Sequence, residues 1–111
     1  MIRAVVGAGG KTSLIRKMAE ESQKQGRKVL ICTTTHMYKE AGCIVGDFAE
    51  PIIEALQTGF AMAGTDKGEK ISALSEDVYR EVCAYADDVF VEADGSKHKA
   101  IKFPAEHEPV I

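Results

Sequence analysis

Tryptophan is absent from this sequence, and aromatic residues make up only 6% of it. No uninterrupted apolar run approaches the ~20 residues that cross a bilayer, and the N-terminus lacks the charged, apolar and small-residue segments of a secretion signal. No membrane span is expected, and the chain reads as cytoplasmic. An excess of basic charge is also missing. With 14 Lys and Arg against 17 Asp and Glu, the net charge is -3, which gives no global reason to expect a nucleic-acid partner. The three cysteines, Cys32, Cys43 and Cys83, are an odd number without a close pair, so neither a disulfide framework nor a C-x-x-C zinc knuckle is indicated. They read as small buried hydrophobes. The spacing of His36, His98 and His107 fits no metal-ligand pattern. Internal repeats, low-complexity stretches and linkers are lacking, so residues 1–111 read as one domain.

What is present is ordinary for a globular chain: 45% hydrophobic and 28% charged residues. Residues 2–6 form a short apolar run suited to a strand buried on both faces. From about residue 12 to 25, Leu14, Ile15, Met18 and Ala19 recur at helical spacing, with Gly26 as terminator. A second apolar run at 28–33 completes a strand, helix, strand unit, expected to be right-handed. Residues 49–58 read as a helix with Pro51 in its first turn and Gly59 at its end. "FAMAG" and "KISAL" around "TDKGE" suggest a hairpin. Ser75 caps a further helix that carries Glu76 and Asp77 in its first turn and Val78, Val82, Cys83 and Ala86 on one face. The run 89–91 leads into Glu92 and Asp94 and reads as a last clear strand. About four strands and three helices are expected.

Between the first strand and the first helix lies "VVGAGGKTSL", residues 5–14. A phosphate cradle needs glycines for close backbone approach, a helix N-terminus for partial positive charge, a lysine for the outer phosphates and a hydroxyl for magnesium. Gly7, Ala8, Gly9 and Gly10 supply the loop, Lys11 the cation, and Thr12 the metal hydroxyl, with Ser13 as its substitute. One departure shortens the loop: Val5 stands where the pattern G-x-x-x-x-G-K-S/T has its first glycine. The resulting G-x-x-G-K-T form resembles the loop of Mur-type ligases, which also bind ATP. The plain alternative is a glycine turn with a solvated lysine.

Such a site needs an acid at the end of a neighbouring apolar strand. Asp94 is the first choice for the magnesium-linked acid and Glu92 the second. Two residues apart, both point to one face, so one can serve the metal while the other acts as general base. The alternative is a solvated acidic strand end. Thr33, Thr34, Thr35 and His36 follow the second strand, at the end of a parallel sheet where ligands bind. They are candidate contacts for phosphate or acceptor, although threonine is common in strands for its own sake. Lys97, with His98, Lys99 and Lys102, forms a local basic strip for a second anion, or a solvated loop.

In order, "VVGAGGKTSLI", "CTTTHM", "EADGSKHKAIKFP" and "HEPVI" resemble the YqeC family of accessory proteins for selenium-dependent molybdenum hydroxylases. The resemblance implies a three-layer α/β fold like that of P-loop NTPases, with a mostly parallel sheet. It also implies a role in maturing a selenium- or molybdenum-containing cofactor, with the hydroxylase or its maturation proteins as partners. Carried over by position, the site is Gly7, Gly9, Gly10, Lys11 and Thr12, then Thr33 to His36, then Glu92, Asp94 and Lys97. Family members are about twice as long, so the sheet is expected to be incomplete at the C-terminus, with "PVI" opening another strand. An open apolar edge invites self-association into a homo-oligomer.

The expected activity is magnesium-dependent binding and hydrolysis of ATP or GTP. No N-K-x-D tetrad selects guanine. The alternatives are a nucleotide-gated scaffold without turnover and a small-molecule kinase or ligase.

Overall fold

The computed structural model describes residues 2–5, 11–93 and 107–110, and the side chains of residues 4, 5, 11–13 and 107–110 lie outside that description. The elements in chain order are β1 (Ile2–Val5), α1 (Lys11–Lys24), β2 (Val29–Thr33), β3 (His36–Tyr38), β4 (Ile44–Val45), α2 (Ala49–Gln57), β5 (Phe60–Lys67), β6 (Lys70–Ser72), α3 (Glu76–Cys83), β7 (Asp88–Glu92) and β8 (His107–Val110).

β2 is buried at all five positions and β7 at four of five, as expected of central strands covered on both faces. The strand order is β3-β6-β5-β2-β7-β1-β8, with β4 paired to β5. β1 and β2 are therefore not neighbours, because β7, from the far end of the sequence, lies between them. β5, β2, β7, β1 and β8 are parallel to one another in turn.

Alternation along the strands builds two cores. Leu30, Cys32, Ala61, Val89 and Val91 face α2 and α3, meeting Ile52, Leu56 and Val82. Val29, Ile31, Met62 and Phe90 face the other way, onto Ile15 and Ala19 of α1. The helices thus flank the sheet on both sides. Local signals work as their chemistry dictates. Gly26 ends the α1 region at φ +78, and the Ser75 hydroxyl accepts from the Val78 N–H at 3.3 Å.

The expected hairpin is present, and it changes the character of the sheet. Only two residues join β5 to β6, with Gly68 at φ +72, and a parallel return needs a crossover of roughly a dozen residues. β6 is therefore antiparallel to β5, and β3 antiparallel to β6. The sheet is mixed rather than mostly parallel as the resemblance implied, and the described residues contribute eight strands rather than about four. The additional β3 and β4 are two or three residues long and partly exposed, too short to give a periodic signal. "PVI" falls where a strand was expected to begin, and β8 pairs there with β1, from Ile2↔His107 to Val5↔Val110.

Gly64 in β5 shows how closely the hairpin packs: a Cβ there would lie 2.5 Å from the Ser72 carbonyl oxygen. Cys32 is buried, Cys43 and Cys83 are half-buried, and all three are free thiols. Burial pushes the Cys32 thiol up, and does the same to Cys83, to about 11, so both behave as hydrophobes. Among the described residues no helix is long and apolar enough to cross a membrane.

Candidate functional site at the carboxyl edge of the sheet

All five parallel strands end on the same edge, and the ends of β1, β7 and β2 are in register. Val5, the last residue of β1, pairs with Glu92, the last of β7, and Glu92 pairs on its other side with Thr33, the last of β2. Neighbouring strands run about 4.8 Å apart. The five residues 6–10 then join Val5 to Lys11, which opens α1. Val5, the departure from the loop pattern, is thus a strand residue paired with Glu92. The first turn of α1 contains no acidic side chain to offset the positive end of the helix dipole.

Glu92 shares a face with Phe90, the face that α1 covers, and is only 7% exposed. Its carboxylate is held by hydroxyls. Thr35 Oγ1 donates to Glu92 Oε1 at 3.2 Å. The single Thr33 hydroxyl proton can go to the same oxygen at 3.3 Å or to the Glu92 carbonyl at 3.1 Å. The Thr35 N–H donates to Thr33 Oγ1 at 2.9 Å, fixing the two threonines relative to each other. The Thr34 N–H extends the strand ladder by donating to the Glu92 carbonyl at 2.9 Å. Ser72, across from β3, donates to the Thr35 carbonyl at 3.1 Å and ties the block to the hairpin.

Among the described residues, Glu92 Oε2 has no hydrogen bond and no Lys or Arg forms an ion pair with this carboxylate. Burying a carboxylate without a cation is costly unless a counter-charge arrives. The arrangement can therefore accept a cationic group, or a water or hydroxyl whose proton Glu92 takes.

Of the residues named from the sequence, Glu92, Thr34 and Thr35 are brought together. Thr34 is exposed and meets Glu92 through its backbone, and through its hydroxyl at 3.4 Å to the Glu92 carbonyl. His36 is exposed at the start of β3, opposite Ser72, with no hydrogen bond to Glu92. Lys11, Thr12 and Ser13 form the first turn of α1. Gly7, Ala8, Gly9, Gly10, Asp94 and Lys97 lie outside the described residues. Sequence reasoning passed over Ser72, whose role depends on a hairpin pairing, and treated Thr33 only as part of a block. The available signal was parity: Thr33 and Thr35 are alternate residues, as a shared face requires.

The family model described as YqeC protein matches residues 3–111. A curated protein of Escherichia coli (strain K12), named Uncharacterized protein YqeC, is 38% identical over 120 aligned positions, which cover 97% of this chain and 46% of that protein. The chain spans about half the length of that relative. No solved structure matches. With the family model matching nearly the whole chain, and with that relative at this identity, the chain belongs to the YqeC family.

Proposed function

We propose that this chain binds ATP or GTP with magnesium at the carboxyl edge of the sheet, in the manner of a P-loop NTPase, and hydrolyses it. The observation that carries the reading is the register of Val5 with Glu92, which sets a buried carboxylate, without a cation among the described residues, beside the strand end from which the chain continues into the glycine segment. In this reading, backbone N–H groups of Gly7 to Gly10 and the α1 N-terminus take the phosphate oxygens. Lys11 neutralises the outer phosphates. Thr12 and Asp94 hold the magnesium, which offsets phosphate charge when bound. Glu92 fits such a neighbour, since hydroxyls orient one of its oxygens and leave the other free to take the proton of an attacking water. Thr34, Thr35, His36 and Lys97 line the approach of a second anion or acceptor.

The reading extends to a cytoplasmic protein that uses the nucleotide in maturing the cofactor of a selenium-dependent molybdenum hydroxylase, with self-association covering an open sheet edge. Steady-state phosphate release from ATP and GTP, with and without magnesium, tests the activity. Magnesium-dependent release that is lost in Lys11→Ala supports hydrolysis. Nucleotide binding without release identifies a nucleotide-gated scaffold instead, and release that needs an added acceptor identifies a kinase or ligase.

A further inference from the structure

α1 packs chiefly on β7, β2 and β1, while β5, β6 and β3 extend the sheet past it. A groove of about 230 Å³ lies between the helix and that extension. Ile15, Ala19, Ile31, Met37, Phe60 and Met62 form its apolar lining. Its rim carries Arg16 of α1 and Glu40 of the β3–β4 connection, paired with each other. The groove opens on the same face as Glu92. Ile31 and Thr33 are alternate residues of β2, and Met37 follows Thr35 by two.

We propose that this groove is a binding pocket for a second small molecule, a flat one- or two-ring heterocycle with an amide-type edge. Size decides against a whole nucleotide: pockets for drug-sized ligands run to roughly 300–1,000 Å³, and this groove, at about 230 Å³, falls below that range. The walls decide in favour of a ring. They are apolar, and the two thioethers are unbranched and polarizable, so they fit an aromatic edge without a fixed shape. The rim decides the edge. Arg16 offers donors and Glu40 an acceptor, side by side, which matches a carbonyl next to an N–H. At 56% and 28% side-chain exposure the pair contributes little to folding, so its members can exchange each other for a ligand. A substituent on such a ring is directed along β2 toward Thr35 and Glu92. The pocket stands on its own lining, and only a part for its occupant in the nucleotide reaction rests on the proposed function.

The test is a titration of methyl-13C-methionine-labelled protein with 4-quinazolinone, using quinoline as a probe of the same two-ring size without the donor. The Met37 and Met62 methyl signals are expected to move and saturate. Met18, which lines a different cleft with Asp88, stays in place as internal control. Quinoline is expected to bind at least fivefold more weakly, and Arg16→Ala and Glu40→Ala to weaken 4-quinazolinone at least fivefold. Because both positions are on the rim, the unaffected methyl signals report that each variant is folded. Lys11→Ala is expected to leave this binding unchanged, which separates the pocket from the nucleotide site. Three results overturn the proposal: no saturable movement of Met37 and Met62 up to the solubility limit, equal binding of quinoline, which marks a general apolar docking surface, or methyl shifts that follow protein concentration alone, which mark a second copy of the chain.

Discussion

Asp88 and Glu92 stand at opposite ends of the same strand, four residues apart and on the same face, yet their surroundings differ in kind. Asp88 takes a two-pronged contact from Arg27, with Nε at 2.7 Å and Nη2 at 2.9 Å, and a hydrogen bond from the Ser22 hydroxyl. The backbone N–H groups of Asp87 and Asp88 donate to the Lys28 carbonyl, and the Asp87 carboxylate accepts from the Lys28 N–H at 2.8 Å. The turn after α1 is thereby fastened to the start of β7. Burial alone would raise the Asp88 carboxyl, but the hydrogen bonds from Arg27 and Ser22 and the Arg27 charge outweigh it and hold the group below the ordinary carboxylate range. Glu92, more deeply buried, has only threonine hydroxyls on its carboxylate among the described residues. Among the described residues the first charge has its cation and the second has none, as the proposed binding site requires.

If that contrast is right, substitutions at the two ends separate activity from stability. The largest effect is expected from Glu92→Gln, which removes the base while keeping the shape. Phosphate release should fall by about 100-fold or more, with the urea midpoint near that of the native chain. Asp88→Asn should do the reverse, lowering unfolding free energy by about 1–2 kcal/mol, a range discounted for the partial exposure of the pair, with release unchanged. The two also differ in their response to acid. A carboxyl with a lowered folded pKa stabilises above its unfolded value of about 3.9, and that contribution is lost as pH falls through the folded value. The stability gap between the native chain and Asp88→Asn should therefore be constant from pH 7 to about 5 and close below about pH 4, in urea melts at each pH. Thr35→Val is the smallest change. One hydroxyl bond contributes about 1 kcal/mol, so a severalfold loss of release with little loss of stability is expected, and an effect as large as that of Glu92→Gln would mean that Thr35 itself touches the reacting groups.

The local elements were legible because each is set by neighbours in sequence. The apolar run 29–33, the Ser75 cap, the Gly26 stop and the "TDKGE" turn identify their own structures. The sheet order was not legible. That β7 inserts between β1 and β2 depends on the packing of residues almost 60 positions apart, such as Leu30 against Val89. The same insertion gives Glu92 its place between Val5 and Thr33, which the sequence could suggest only as a carboxylate at a strand end, ranked behind Asp94. The mixed character of the sheet follows from the two-residue connection at "TDKGE", which forces an antiparallel return, and from the short β3 that pairs beyond it. The groove beside α1 was invisible, because Met37, Met62 and Ile15 come from three separate elements and share no motif.

The central claim is that the glycine segment following β1 receives the phosphates of a nucleotide. Thermal unfolding of the native chain and of Lys11→Ala, each with and without ATP or GTP and magnesium, tests it most directly. At a ligand concentration a hundredfold above Kd, binding adds about 2.7 kcal/mol of stability, so the native chain should gain a rise of several degrees in Tm that requires both nucleotide and magnesium and that Lys11→Ala loses. No rise with either nucleotide, or an equal rise in Lys11→Ala, would contradict the account.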